Sequence, residues 1–120
     1  MPKPTAPFRL RPRFRVDREH DVALGPGKVD LLEHIRDTGS IAKAARRMEM
    51  SYMRAWTLVK KMEDCFREPL VQVERGGASR GGARLTECGA QTLALYRRLE
   101  RESAIATAKT WRALQRFLRP

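Results

Sequence analysis

The chain has 120 residues, 42% of them hydrophobic, which suits one folded domain with its own core and excludes a disordered polymer. Its 25 Lys and Arg against 14 Asp and Glu leave a formal net charge of +11. That excess points to a polyanion, with DNA first and with RNA and an anionic membrane surface as rivals that charge alone does not separate.

Residues 1–7 are proline-rich and are expected to be a disordered tail. They lack the apolar core of a signal peptide, and no apolar run approaches the roughly 20 residues a spanning helix needs. A cytoplasmic protein with no membrane partner is the expectation. Cys65 and Cys88 form no Cys-x-x-Cys and have no neighbouring His pair, so no zinc site is expected and both thiols should be free.

From Phe8 to Val16 the chain alternates. Phe8, Leu10, Pro12, Phe14 and Val16 fall on one side, Arg9, Arg11, Arg13 and Arg15 on the other, which predicts a half-buried strand. Pro12 lacks a ladder donor, so this is an edge strand or one that starts after Pro12. The Arg row reads either as a DNA-backbone contact or as a solvated edge kept charged against aggregation, and edge-strand logic favours the second.

Gly25-Pro26-Gly27 reads as a turn. A first helix follows with Val29, Leu31, Leu32 and Ile35 as its apolar stripe, stopped at Thr38-Gly39. Ser40 caps a second helix whose Ile41, Ala44, Ala45 and Met48 share one face, with Lys43, Arg46 and Arg47 outward. Ser51 caps a third helix. There Ala55, Val59, Met62 and Phe66 cluster inward, with Ser51, Leu58 and Tyr52 at the borders. Met53, Arg54, Thr57, Lys60 and Lys61 point away, a face with no acid counted on it before Asp64. Solvated helix faces ordinarily mix signs; this one has the layout of a helix presented to the DNA major groove. Trp56 reads as a packing anchor rather than a base-stacking residue.

Pro69 is expected to end the helical region. Residues 70–75 and 83–85 alternate as two short strands around Gly76-Gly77-Ala78-Ser79-Arg80-Gly81-Gly82, a hairpin with a basic, flexible tip. The loop lacks the Lys-Ser/Thr and following helix of a nucleotide-binding P-loop. Thr86 caps a last helical pattern, with Glu87 in its first turn, that carries to Leu118. Ala90, Leu93, Tyr96 (or Arg97) and Leu99 form its stripe, continued by Ala104, Ala108, Trp111, Leu114 and Leu118 after a slip near Ser103 that is either a register change or a break. Such a helix is on the order of 50 Å long. Its spare apolar stripe calls for a second copy of the chain.

The order of elements predicts a mainly α protein with a small β wing: a winged helix-turn-helix over residues 8–85 and a C-terminal dimerisation helix over 86–120, pairing through 86–118. Across about residues 13–100 the chain resembles the N-terminal DNA-binding domain of the ModE family of molybdate-responsive regulators, itself similar to LysR-type regulators. The resemblance lies in Gly25-Pro26-Gly27, Leu31-Leu32-Glu33-His34-Ile35, Gly39-Ser40-Ile41, Ala44-Ala45 and Met50-Ser51-Tyr52 with Ala55-Trp56. It continues in Pro69-Leu70-Val71, Gly76-Gly77, Gly81-Gly82-Ala83, Leu85-Thr86, Gly89 and Tyr96. It implies that the third helix enters the groove, the wing touches the flanking backbone and the dimer reads a two-fold site. Glu49 departs from the family, standing in the turn where glycine is common.

On this reading Ser51 and Tyr52 engage phosphate, Arg54 and Thr57 reach base edges beside Met53, and Lys60 and Lys61 neutralise phosphates. Lys43, Arg46, Arg75, Arg80 and Arg84, with Ser79 in the wing loop, hold the protein on the duplex. Family members that sense molybdate use further C-terminal domains. The chain ends at Pro120, so molybdate is not an expected partner, although an oxyanion sensor at the dimer interface and an architectural DNA-binding or interaction module remain as alternatives. No cofactor is expected. Isolated His20 and His34 have no carboxylate or thiol at catalytic spacing, so no enzyme is expected either.

Overall fold

A computed structural model describes residues 7–74 and 82–120. The elements run β1 (Val16–Arg18), β2 (Asp21–Leu24), α1 (Pro26–Thr38), α2 (Ile41–Arg47), α3 (Tyr52–Glu63), β3 (Val71–Val73), β4 (Ala83–Leu85) and α4 (Glu87–Gln115). This is the winged helix-turn-helix with a long last helix that the sequence predicts.

The first strand is where expectation and structure part. Only Val16–Arg18 is strand, and it pairs with β2, which the sequence pattern does not announce. Before it, Pro12 and Phe14 are half-buried while Phe8 (41% exposed) and Leu10 (50%) are not, so the alternation survives only near the core. Phe14 offers its carbonyl to the Tyr96 hydroxyl at 2.7 Å instead of to a ladder. Glu19, at φ +55°, closes the hairpin turn. Gly25-Pro26-Gly27 is likewise not a free turn. Extended Gly25 is the N-cap and Pro26 begins α1, where a missing N–H costs nothing and its fixed φ suits the helix.

In α1 the buried residues are Val29, Leu31, Leu32 and Ile35, the stripe read from the sequence. Gly39 ends it at φ +71°, donating to the Ile35 carbonyl at 2.8 Å. The Ser40 hydroxyl accepts from Lys43 N–H at 3.1 Å to start α2. The end of α2 forms a Schellman motif, with Met50 N–H on the Ala45 carbonyl (3.0 Å) and Glu49 N–H on that of Arg46 (3.1 Å). Glu49 occupies the left-handed position at φ +56°. The turn therefore keeps the geometry glycine would give, with a side chain strained into it.

The third helix stops at Glu63, well before Pro69. Cys65 and Phe66 N–H turn to the Met62 and Glu63 carbonyls, tightening the last turn, and Phe66 packs on the core from outside the helix. The Glu63 carboxylate accepts from Leu70 N–H at 2.7 Å and Val71 N–H at 3.0 Å, tying the start of the wing to the end of α3. Strands β3 and β4 are antiparallel with Gln72 opposite Arg84. A bridge from Ser40 to Gly82 and Ala83 N–H on the Gly39 carbonyl (2.8 Å) join the wing to the α1–α2 turn.

The last helix is unbroken through Ser103. The Thr86 hydroxyl accepts from Gly89 N–H (3.0 Å) and donates to the Pro69 carbonyl (2.7 Å). Its buried face is Gly89, Leu93 and Tyr96; Ala90 and Leu99, expected inward, are exposed. The cause is Gly89, which lies so close to Leu70 that a Cβ there would meet the Leu70 carbonyl oxygen at 2.0 Å. That approach fixes the rotation of the helix and turns Ala90 out. Arg97 is then half-buried, donating to Asp30 (2.9 Å) and Glu33 (3.1 Å) of α1 and to Glu100 (2.9 Å). Burial alone lowers the guanidinium pKa, but the three carboxylates outweigh it and drive it up. Tyr96 is pushed up by burial first and by Glu100 second. The opening turns of α4 thus lie in the same core as α1, α2 and α3. The rest of α4 continues to Gln115, in a molecule that measures 57 × 40 × 23 Å.

Candidate nucleic-acid interface

Helix α3 has one buried side, Ala55, Val59 and Met62, and three exposed sectors set by its periodicity. Met53 (65% exposed) and Thr57 form the crest, farthest from the core. Arg54 and Lys61 lean one way with Leu58, toward the β1–β2 hairpin. Trp56, Lys60 and Glu63 lean the other way, toward the wing, where they share a depression of about 520 Å³ with Gln72 and Val73. Met53, Arg54, Thr57, Leu58 and Lys61 together line a shallow trough of about 300 Å³ along the crest.

The Ser51 hydroxyl oxygen accepts from Arg54 N–H at 3.1 Å, which fixes the start of α3 and leaves its O–H free to donate outward. Tyr52 stacks on Trp56, with ring centroids 6.5 Å apart and planes 17° from parallel. The Lys60 ammonium lies 4.4 Å from the Trp56 ring centroid and 3.5 Å from the Glu63 carboxylate. Lys60 is therefore engaged within α3 in a way that Arg54 and Lys61 are not. Glu63 is an acid of α3 that precedes Asp64; it lies at the wing edge, and its other oxygen holds the Leu70 and Val71 amides. Trp56 packs half-buried against the core, as an anchor under the wing side.

Among the described residues, Lys43, Arg46, Arg54 and Lys61 carry no ion pair, and all four are exposed. Arg84 is exposed on β4, braced by Glu74 (3.8 Å) and Gln72 (3.4 Å). Arg75, Ser79 and Arg80 lie outside the described residues. Lys43 and Arg46 stand on the outer face of α2, so α2, α3 and β4 carry the described cations of the predicted interface.

Among the described residues no group of three or more His, Cys, Asp or Glu is placed to hold a metal ion. Cys65 and Cys88 are free and half-buried. No helix among the described residues is long and apolar enough to cross a membrane.

Residues 27–90 match the family described as bacterial regulatory helix-turn-helix proteins of the lysR family. The molybdenum transport protein ModE of Azotobacter vinelandii is 38% identical over 94 residues, covering 78% of this chain and 35% of that protein. The molybdenum-pterin-binding protein MopA of Rhodobacter capsulatus is 40% identical over 77 residues, 64% of this chain and 29% of that one. The DNA-binding transcriptional dual regulator ModE of Escherichia coli K12 is 37% identical over 71 residues, 59% of this chain and 27% of that one. The chain thus spans about a third or less of the length of these relatives. Among solved structures, the CbnR DNA-binding domain, in a crystal structure of its complex with DNA, superposes with a TM-score of 0.57 at 20% identity, over 73% of this chain and 95% of that one. That likeness carries the fold.

Proposed function

The chain belongs to the LysR-type family of bacterial regulatory helix-turn-helix proteins, with ModE regulators among its relatives, and from that membership we propose that it is a sequence-specific, homodimeric DNA-binding transcription regulator. What the relatives' names say of molybdenum stays with those proteins. One observation carries the reading: the exposed crest and flank of α3 present Met53, Arg54, Thr57 and Lys61 with no carboxylate among them.

Bare cations on a rigid helix neutralise phosphates, and the crest residues meet base edges in the groove. Thr57 and Met53 offer apolar contact to a thymine methyl, and Arg54 offers a bidentate fork to guanine. Lys61, Lys43, Arg46 and Arg84 hold the backbone, with Ser51 and Tyr52 at the start of the helix. Arg75, Ser79 and Arg80 extend that contact through the wing loop. Lys60 acts closer to the wing, through the Trp56 face. The reading is of a binding protein rather than an enzyme, acting in the cytoplasm where its DNA lies.

The dimer is supported by α4. Leu95 (58% exposed) and Leu99 (46%) fall at helical spacing on one exposed side of α4, continued by the small residues Ala106 and half-buried Ala113, and Phe117 (87%) is exposed in the turn just after the helix. A second copy of the helix covers such a stripe, and small residues let the two backbones approach. Selection from a random duplex library at fixed salt tests both claims. The expected outcome is a two-fold sequence with half-sites roughly 34–36 Å apart, or a multiple of that. Recovery of no preferred sequence would remove the specific regulator in favour of an architectural DNA-binding module.

A further inference from the structure

We propose that the β1–β2 hairpin and the residues on either side of it form a second phosphate-binding flank beside α3, opposite the wing, with Arg15, Arg18 and Lys28 as its contacts. The inference rests on the reading of α3 as the groove-entering helix and adds an element to it.

The sequence singles out Arg15 only as part of a row, and Arg18 and Lys28 not at all. The structure brings all three to one side of α3. Arg15 and Lys28 line a depression of about 280 Å³ together with Arg54 and Leu58 of α3. No acidic side chain lines it. Next to it, Arg18, His20 and Lys28 share a second depression, of about 530 Å³, with Leu58 and Lys61 of α3. Leu58 forms part of the floor of both. The hairpin thus runs alongside the sector of α3 that carries Arg54 and Lys61, the two α3 cations without an ion pair among the described residues.

The second depression also contains Asp21 and Asp64, so its charge is mixed. Arg18 is placed there by a hydrogen bond to the Asp64 carbonyl at 3.4 Å, which leaves most of its guanidinium donors free. Arg15 has one exposed ion pair, to Asp17 at 3.5 Å, of the kind that solvent screens and a phosphate displaces at little cost. The Lys28 ammonium donates to the Val22 carbonyl, which pins it to the hairpin without neutralising it. A carbonyl partner positions a cation and keeps its charge available.

The geometry gives a reason for the hairpin. A helix lying in the major groove has a phosphate backbone on each side. The wing is on one side of α3, and without the hairpin the other backbone would face only Arg54 and Lys61. With the hairpin it meets cations from three elements: β1, the first turn of α1 and α3. These contacts add affinity and orientation but no base readout.

The test uses the full chain and a labelled duplex of random sequence, titrated by fluorescence anisotropy over a NaCl series. Replacing Arg15 and Arg18 together (Arg15→Gln with Arg18→Gln) is expected to make the plot of log affinity against log salt shallower by nearly two, at about 0.9 per lost phosphate contact. The preferred operator should stay unchanged. Arg112→Gln, the same kind of charge loss on the distant part of α4, is expected to leave the slope alone. Thermal melts of each variant confirm that folding is intact, and Lys28→Gln is the substitute should the double variant fail to fold. If the hairpin variants keep the parent slope while Lys61→Gln lowers it, the flank is wrong and the α3 reading stands. If neither lowers it, the α3 reading falls and takes the flank with it. If Arg112→Gln lowers the slope as much as the hairpin variants, the effect is one of net charge, and the assignment to this surface is overturned.

Discussion

Gly89→Ala is the sharpest test of how this fold is held. In an ordinary exposed helix the change would help, since alanine favours the helix over glycine by about 1 kcal/mol. Here the new Cβ would lie 2.0 Å from the Leu70 carbonyl oxygen, where real contacts essentially never fall under 3.0 Å. The obstacle is main chain, so no side-chain rotation relieves it. Leu70 must move by about 1 Å relative to α4, or α4 must tilt. Either movement strains the Thr86 N–H bond to the same carbonyl, 3.0 Å, and the Thr86 hydroxyl bond to Pro69, 2.7 Å. Overpacking costs about 1–3 kcal/mol and each of the two weakened hydrogen bonds about 1, so after the alanine gain the net loss is about 2–4 kcal/mol. For a chain of this size that is a fall in melting temperature on the order of 10 °C. The assay is thermal and urea unfolding by circular dichroism, with Gly27→Ala as the internal control. Gly27 also lies in a helix, and a Cβ added to it would have nothing within 4 Å, so that change should stabilise by roughly 0.5–1 kcal/mol. If Gly89→Ala melts at or above the parent, the close approach of α4 to Leu70 is wrong.

Glu49→Gly should stabilise the protein by about 0.5–1 kcal/mol, because φ +56° strains a side chain that glycine lacks; an unchanged or lower urea midpoint would refute the left-handed turn. Arg97→Met removes the only cation that Asp30, Glu33 and Glu100 share among the described residues, and should cost about 1–3 kcal/mol, with the gap narrowing in high salt as the leftover repulsion is screened. A gap that does not respond to salt would mean that the loss is packing alone. Arg54→Ala should relax selection at one base position at a cost of about 1–3 kcal/mol, read by repeating the duplex selection; uniform weakening of all duplexes would reassign Arg54 to phosphate. Leu99→Glu should shift the chain from dimer to monomer in analytical ultracentrifugation while leaving the melting of the helix-turn-helix core nearly unchanged, and a persistent dimer would move the interface off this side of α4.

The helices were legible because their signals are local. Caps at Ser40, Ser51 and Thr86, a stop at Gly39 and the stripe of α1 are each decided within a few residues, and all stand as read. The hairpin was not legible, because β1 and β2 are three and four residues long and their register includes a bulge. The Arg-rich alternation from Phe8 has the better strand pattern, yet among the described residues it has no ladder partner before Val16, and Phe14 instead meets the core and the Tyr96 hydroxyl. On α4 the sequence left Tyr96 and Arg97 as alternatives for one stripe. The structure uses both, one as core and one as an ionic junction, because rotation of the helix is set at Gly89 by a residue of another segment. On α3 the cations were legible, but their division into two sectors was not. That division depends on what packs on either side.

Leu70 explains why these misses matter for function. Its N–H is held by the Glu63 carboxylate at the end of α3, and its carbonyl is held by the Thr86 N–H at the start of α4, with Gly89 pressed against it. One buried residue, with no exposed surface, therefore fixes α3 relative to α4 through its main chain on both sides. In the proposed dimer α4 sets the distance between the two copies, and α3 sets what each copy reads. The angle between them decides whether two crests reach successive turns of one face of a duplex. That angle depends less on any exposed cation than on a glycine, a threonine cap and a glutamate packed around Leu70 and Pro69. Substitutions at Gly89 or Glu63 should therefore blur the spacing between half-sites before they alter the sequence preferred within each half.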